Sequence, residues 1–332
     1  MSIARSKNPL GPYDSCERNP VLKPTAHLGT DVVYTGHGDL FQDSDDRWWL
    51  TCLGVRKTEV GDSIMGRETF LTSVDWTDDD HGDPWPVIEQ PIAMTVSLPT
   101  PSAPPAPLPF DKINLAKQAG VDYVWTRNPD MASYKTSWAD ESISLRPSST
   151  SLKSDGSEPT TFIGKRQREL VGEARAVLSI SSLRGKNTLS GLVYYKDEHR
   201  HASISFDSAA NTIVFEVFNR AKREPVITRE TIYTIKDTDH SSVAGVEFRL
   251  AYTERCLEFH YRLQLAGGSV EKGVGSETSG VRCGIVDTVT LTDQDFTGPC
   301  IGLFATLATA SSTEATPMEA LWCDFSGVSL VG

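Results

Sequence analysis

The sequence predicts an all-β chain: a partial β-propeller, about one blade plus a strand, followed by an antiparallel β-sandwich. Three observations carry this. Residues 35–76 hold three apolar and aromatic runs separated by polar turns, the spacing of an antiparallel meander. From Phe110 onward, short alternating runs recur with turn signals between them at intervals typical of a sandwich. Helical periodicity is almost absent, apart from a turn near Asn114–Gly120.

Taken in order, Ser2-Ile3-Ala4-Arg5-Ser6 reads as the last strand of a preceding blade. The first strand of the meander ends at Leu40 and Phe41, and Asp43-Ser44-Asp45-Asp46 supplies the turn. Trp48, Trp49, Leu50, Cys52 and Leu53 form the return strand, and Thr69-Phe70-Leu71 with Val74 and Trp76 the third. Pro84-Trp85-Pro86-Val87-Ile88 can add an outer strand, because proline is tolerated on a sheet edge. Four such strands have the size of one propeller blade. His37 with Asp39, and Arg67 with Glu68, form polar clusters at strand starts, where a propeller points residues toward its axis.

The proline-dense stretch Leu98-Pro99 to Leu108-Pro109 removes backbone donors and favours an extended path, which makes residues 96–109 the linker. Residues 1–95 are then the partial propeller and 110–332 the sandwich. Its expected strands are Ala174–Ile180, Leu189–Tyr195, Ser203–Phe206, Thr212–Phe218, Ile227–Ile235, Ile301–Leu307 and Leu321–Leu330. Val246, Phe248, Leu250 and Tyr252 alternate, as do Leu257, Phe259, Tyr261 and Leu263 after a Glu254-Arg255 turn, which makes the clearest hairpin of the chain.

A net charge of −12 argues against nucleic acid or an anionic membrane as partner, since neither offers an attractive field. No apolar run approaches the ~20 residues that span a bilayer. The start MSIARSKNPLGPYD lacks the apolar core of a secretory signal, so the expected compartment is cytoplasmic, or secreted if the N-terminus is incomplete. Six cysteines show no zinc-ligand spacing, and Cys52, Cys256 and Cys323 in apolar runs read as buried free thiols.

Gly11-Pro12-Tyr13-Asp14, Asn19-Pro20-Val21-Leu22, Thr35-Gly36-His37-Gly38-Asp39-Leu40, Trp48-Trp49-Leu50, Gly66-Arg67-Glu68-Thr69-Phe70-Leu71 and Trp85-Pro86-Val87-Ile88 together resemble the late part of the five-bladed propeller of glycoside hydrolase family 43, which includes β-xylosidases and α-L-arabinofuranosidases. Trp125-Thr126-Arg127-Asn128-Pro129, Ser144-Leu145-Arg146, Pro159 to Gln167, Gly191-Leu192-Val193-Tyr194-Tyr195 and Phe296-Thr297-Gly298 resemble its C-terminal concanavalin A-like sandwich. The resemblance implies a partner in xylan- or arabinan-derived oligosaccharide, no organic cofactor, and a Ca²⁺ or water cluster near the propeller axis. His37 would be the axial histidine beside that metal or cluster, against a hydrogen-bonded core histidine as the plain alternative. Arg67 would contact the sugar, its fixed fork of donors matching paired hydroxyls, against an ion pair with a neighbouring acid. In some members an aromatic residue on a sandwich loop reaches the active site, and Phe218-Asn219-Arg220-Ala221-Lys222-Arg223-Glu224-Pro225 is the comparable region here.

Inversion needs an acid and a base carboxyl ~6.5–9.5 Å apart. By resemblance, the family's base, acid and tuning Asp all lie upstream of the segment matching Ala4-Arg5-Ser6, so no residue is expected to inherit those roles. Asp43, Asp45, Asp46 and the run Asp78-Asp79-Asp80 read as solvated turns, and Trp48, Trp49 and Trp85 as blade core rather than sugar platforms. The expectation is a glycosidase segment inactive alone. The alternatives are a non-catalytic carbohydrate-binding or interaction module and, ranked last, an enzyme using other carboxylates.

Overall fold

The computed structural model describes residues 1–23, 30–61, 64–78, 82, 84–100, 122–236, 243–266, 280–292, 296–308 and 321–330. The expected helical turn at Asn114–Gly120, most of the linker, and Asp79 and Asp80 lie outside them. Among the described residues the regular elements are β-strands and two 3₁₀ turns. The chain divides into two compact units, one of Met1–Asn114 with Asp293–Thr297, the other of Leu115–Thr292 with Gly298–Gly332.

In the first unit, β1 (Ala4–Arg5) pairs with β2 (Asp14–Ser15) in a two-stranded ribbon. The segment expected as the last strand of another blade pairs with residues ten positions on, and Asn19 Nδ2 donates to the Ile3 carbonyl at 2.8 Å. The meander follows as β3 (Val32–Gln42), β4 (Trp48–Arg56), β5 (Arg67–Asp78) and β6 (Pro84–Ile88), adjacent in that order and antiparallel throughout. β6 pairs with β5 alone, so Pro84 and Pro86 cost the ladder no donor on its free side.

Leu50 and Cys52 of β4, Phe70 and Val74 of β5 and Trp85 and Ile88 of β6 close on Leu22, Val32 and Ile92 to form the blade's core. Trp49 and Trp85 are buried and Trp48 packs partly against the same core, so the tryptophans serve packing. The acidic turn is not freely solvated. Asp43 accepts from Trp49 Nε1 at 2.9 Å, Arg47 Nε at 2.8 Å and the amides of Asp45 and Arg47, and Arg47 also pairs with Asp45. The Trp49 donor first, with Arg47 beside it, holds the Asp43 carboxyl well below the usual range.

The second unit contains β7 (Tyr123–Trp125), β8 (Tyr134–Ser137), β9 (Ser142–Leu145), β10 (Phe162–Arg166), β11 (Gly172–Ser179), β12 (Leu189–Asp197), β13 (Arg200–Asp207), β14 (Thr212–Asn219), β15 (Val226–Thr234), β16 (Val243–Tyr252), β17 (Cys256–Leu265), β18 (Val281–Asp287), β19 (Cys300–Thr306) and β20 (Cys323–Ser329). They form two seven-stranded sheets, ordered β15-β14-β13-β12-β19-β10-β7 and β18-β17-β16-β11-β20-β9-β8. With a four-stranded blade, this is the expected all-β architecture of a partial propeller and a concanavalin-like sandwich.

Alternation decides what each face does. Leu192 and Tyr194, Ile204 and Phe206, and Phe215 and Val217 point from the first sheet into one core with Ala174, Ala176, Leu178, Phe248, Leu250, Phe259 and Tyr261 of the second. The outer face of the second sheet is an ion-pair ladder in which Glu173 faces Arg175 and Arg249, and Glu247 faces Arg262. The outer face of the first sheet is itself covered. Leu152, Phe162, Val193 and Phe304 form a second apolar cluster there, and His201, Ser203, Ser205 and Glu216 are buried. All six cysteines are free. No described helix is long and apolar enough to cross a membrane.

Candidate functional site

Arg67 and Glu68 open β5 as expected, whereas His37 and Asp39, expected at a strand start, lie well inside β3. β3 is irregular there: its register with β4 slips between Val33 and Gly36 and again between Gly36 and Asp39. Two bulges in five residues put Tyr34 at φ 54° and His37 at φ 50°, the left-handed region that a side chain adopts only at a cost. His37 and Asp39 are both exposed, so His37 is not the hydrogen-bonded core histidine of the plain alternative.

Arg67 opens β5 directly after Gly66, whose φ of 66° turns the chain into the strand. Its expected alternative partner, an acid, is taken. Glu68 receives two hydrogen bonds from Arg56, from Nε at 3.1 Å and Nη2 at 2.7 Å. The Arg67 guanidinium lies instead over the ring of Phe296, 3.8 Å from its centroid. The Arg67 amide donates to the Phe296 carbonyl at 3.2 Å, and Gly66 bridges Thr297, so the contact is fixed by backbone as well as by the cation on the ring. Phe296 is 73 % exposed, which leaves much of its ring open beside the guanidinium.

The region compared with the family's aromatic loop begins at Phe218, in β14. Phe218 ends that strand buried, stacked at 5.2 Å on His201. The aromatic that stands at the blade edge is Phe296, quoted in the sequence only as a sandwich fragment. Its exposure and its place beside Arg67 have no local sequence signature.

Arg67 and His37 do not touch. Arg67 pairs with Val55 and Gly36 with Leu53, so the backbones of Arg67 and of Gly36 beside His37 stand two strands apart, roughly 12 Å from the usual rise and strand spacing. Asp39 pairs with Thr51 while Glu68 pairs with Gly54, a separation of roughly 14 Å between backbones from the usual rise and strand spacing. An inverting acid–base pair needs ~6.5–9.5 Å. Burial pushes the thiols of Cys283 and Cys323 up to about 12.

Calcium takes roughly six to eight oxygen ligands, whereas His37 offers an imidazole nitrogen. Among the described residues no group of three His, Cys, Asp or Glu could hold a metal ion.

Comparison with known proteins follows the same division of the chain. The family model of glycosyl hydrolases family 43 matches residues 1–81, and that of the β-xylosidase C-terminal concanavalin A-like domain matches residues 114–317. The chain is 27 % identical over 338 residues to the non-reducing end alpha-L-arabinofuranosidase BoGH43B of Bacteroides ovatus, covering 97 % of this chain and 57 % of that protein. It is 23 % identical over 327 residues to xylosidase/arabinosidase 43B of Humicola insolens, covering 95 % of this chain and 57 % of that protein. Among solved structures, Bacteroides ovatus Xyloglucan PUL GH43B aligns with a TM-score of 0.66 at 24 % identity, over 97 % of this chain and 58 % of that one. The xylan beta-1,4-xylosidase of Bacillus halodurans C-125 aligns with a TM-score of 0.66 at 16 % identity, over 98 % and 58 %. These structural likenesses concern the fold. The chain spans a little over half the length of the relatives it matches.

Proposed function

The chain belongs to glycoside hydrolase family 43, and from that premise we propose that it serves a glycosidase of the β-xylosidase or α-L-arabinofuranosidase type. Its substrates are xylan- or arabinan-derived oligosaccharides. Within it, residues 1–95 are the propeller part, 96–109 the linker and 110–332 the sandwich. The observation that carries this reading is the pairing of Arg67 with an open Phe296 ring at the blade edge. A planar cation supplies directed donors to vicinal hydroxyls, and an exposed ring face takes the C–H side of a sugar. His37, raised on its bulge, contributes a second polar contact from within β3. A metal contact by His37 has no support from its neighbours.

The chain's own part in this is binding, not bond cleavage. Glu68 is held by Arg56, Asp43 and Asp45 by Arg47, and Asp39 and Glu68 stand too far apart to work across one sugar ring. Titration with xylo- and arabino-oligosaccharides, read by tryptophan fluorescence or calorimetry, tests the site. Arg67→Ala should weaken binding by roughly tenfold or more, the loss of a charge-assisted hydrogen bond, and Arg67→Lys should not restore it, because an ammonium lacks the fork. Binding that is absent in the unaltered chain, or indifferent to Arg67, would sink the proposal.

A further inference from the structure

A second cluster, within the sandwich, holds two cations that have no ion-pair partner among the described residues. Lys135 of β8 pairs with Ser144 of β9, and Arg146 follows two residues on, so the two are diagonal neighbours on the outer face of the second sheet. Trp322 enters β20 beside them, since Cys323 pairs with Leu145. Lys135 Nζ sits 3.7 Å from the Trp322 ring centroid and the Arg146 guanidinium carbon 5.0 Å from it.

Two like charges beside one indole repel each other, and cation–π attraction offsets only part of that. Elsewhere on this face, Arg175, Arg249 and Arg262 each meet a glutamate. Among the described residues neither Lys135 nor Arg146 has an ion pair, and Arg146 Nε is buried with no hydrogen-bond partner. Asp324, the acid nearest in register, faces Ser144 across the sheet and pairs with neither. Arg146 also lines a hollow of about 300 Å³ with Asp130, Ser133, Thr150, Glu158 and Thr161. That volume is at the lower end of the range for small-ligand sites. Asp130 is committed there, accepting from the Ala132 amide and the Ser133 hydroxyl.

We propose that Lys135, Arg146 and Trp322 form a recognition site for the carboxylate of an acidic sugar unit carried on an oligosaccharide, with the hollow beside Arg146, lined by hydroxyls and by Asp130 and Glu158, holding the neutral part of the sugar ring. The carboxylate supplies the charge that the two cations lack. The identity of the ligand as a sugar rests on the reading of the chain as part of a plant-polysaccharide glycosidase.

Calorimetry on the full chain at low salt compares xylotriose, the same oligosaccharide bearing a glucuronosyl branch, and free glucuronate. The branched compound should bind roughly tenfold more tightly than xylotriose, as a charge-assisted contact allows. That excess should disappear in both Arg146→Gln and Lys135→Gln and shrink at high salt, while xylotriose binding stays unchanged. Equal affinity for branched and neutral compounds, an excess that survives both variants, or free glucuronate binding as tightly as the branched compound would overturn the proposal. Arg67→Ala separates the two sites. It should weaken xylotriose binding and spare the acidic excess, so failure at the blade edge is distinguishable from failure here.

Discussion

His37 is the residue at which backbone cost and placement meet. A non-glycine residue at φ 50° between two register slips gives up local stability to lift its side chain from the sheet. His37→Gly should therefore raise the melting temperature slightly, by the equivalent of about 0.5–1 kcal/mol, while weakening oligosaccharide binding. A variant that binds as well as the unaltered chain would leave the bulge without a role in the site. Glu216 poses the opposite case, a buried charge that stabilises. Burial alone would raise its carboxyl, but His201 at 3.5 Å and Lys153 at 2.7 Å more than reverse this and hold it at about 2, below the ordinary 4.5. A carboxyl depressed in the folded state contributes stability above its unfolded pKa and loses that contribution as pH falls through the folded value. The contribution, on the order of 3 kcal/mol at most, should thus be present at pH 7 and fade between about pH 4.5 and 2. Denaturant titrations of Glu216→Gln and the unaltered chain should converge across that window, and a gap independent of pH would assign the stabilisation to packing alone.

Strands that alternate over seven or more residues were legible in the sequence, because a buried face imposes a period of two that no turn interrupts. The β16–β17 hairpin and β11 appear where alternation puts them, and β12 to β15 where their apolar runs lie, each within three residues at either end. The short strands β7, β8, β9 and β10 were not, since three to five residues carry too little period to read. β18 escaped because an edge strand with Arg282 in it looks like a loop. In the site, Arg67 was legible as a polar residue at a strand start, whereas His37 lies inside β3, because the two bulges lengthen the strand ahead of it. Phe296 was not, because its value lies in a meeting of residues more than two hundred positions apart. Register itself can be tested within the first sheet. A methyl group at Gly191 would collide with the Ile204 carbonyl oxygen and lie 2.6 Å from the Ser205 Cα, both backbone of β13 and unable to yield. Gly191→Ala should cost roughly 2–3 kcal/mol or more in chemical denaturation, and a neutral result would mean that β12 and β13 do not pair as described.

At the scale of the whole chain, two units built from different physics share one polypeptide. The sandwich closes a large core between two sheets and covers the outer face of one of them as well. The blade has a small core of its own, an arginine beside an open aromatic ring at the start of β5, and a lifted histidine within β3. Recognition needs only such an edge, whereas glycoside inversion needs two carboxyls held across a ring, and the acids of the blade edge are paired or far apart. The separation of binding from cleavage is therefore the claim on which the account stands. It is tested most directly by incubating the purified 332-residue chain with aryl β-xyloside and aryl α-L-arabinofuranoside and following release of the phenol. The account predicts no release above the buffer rate while oligosaccharide binding persists; turnover that disappears on replacing one of the chain's own Asp or Glu residues would contradict it.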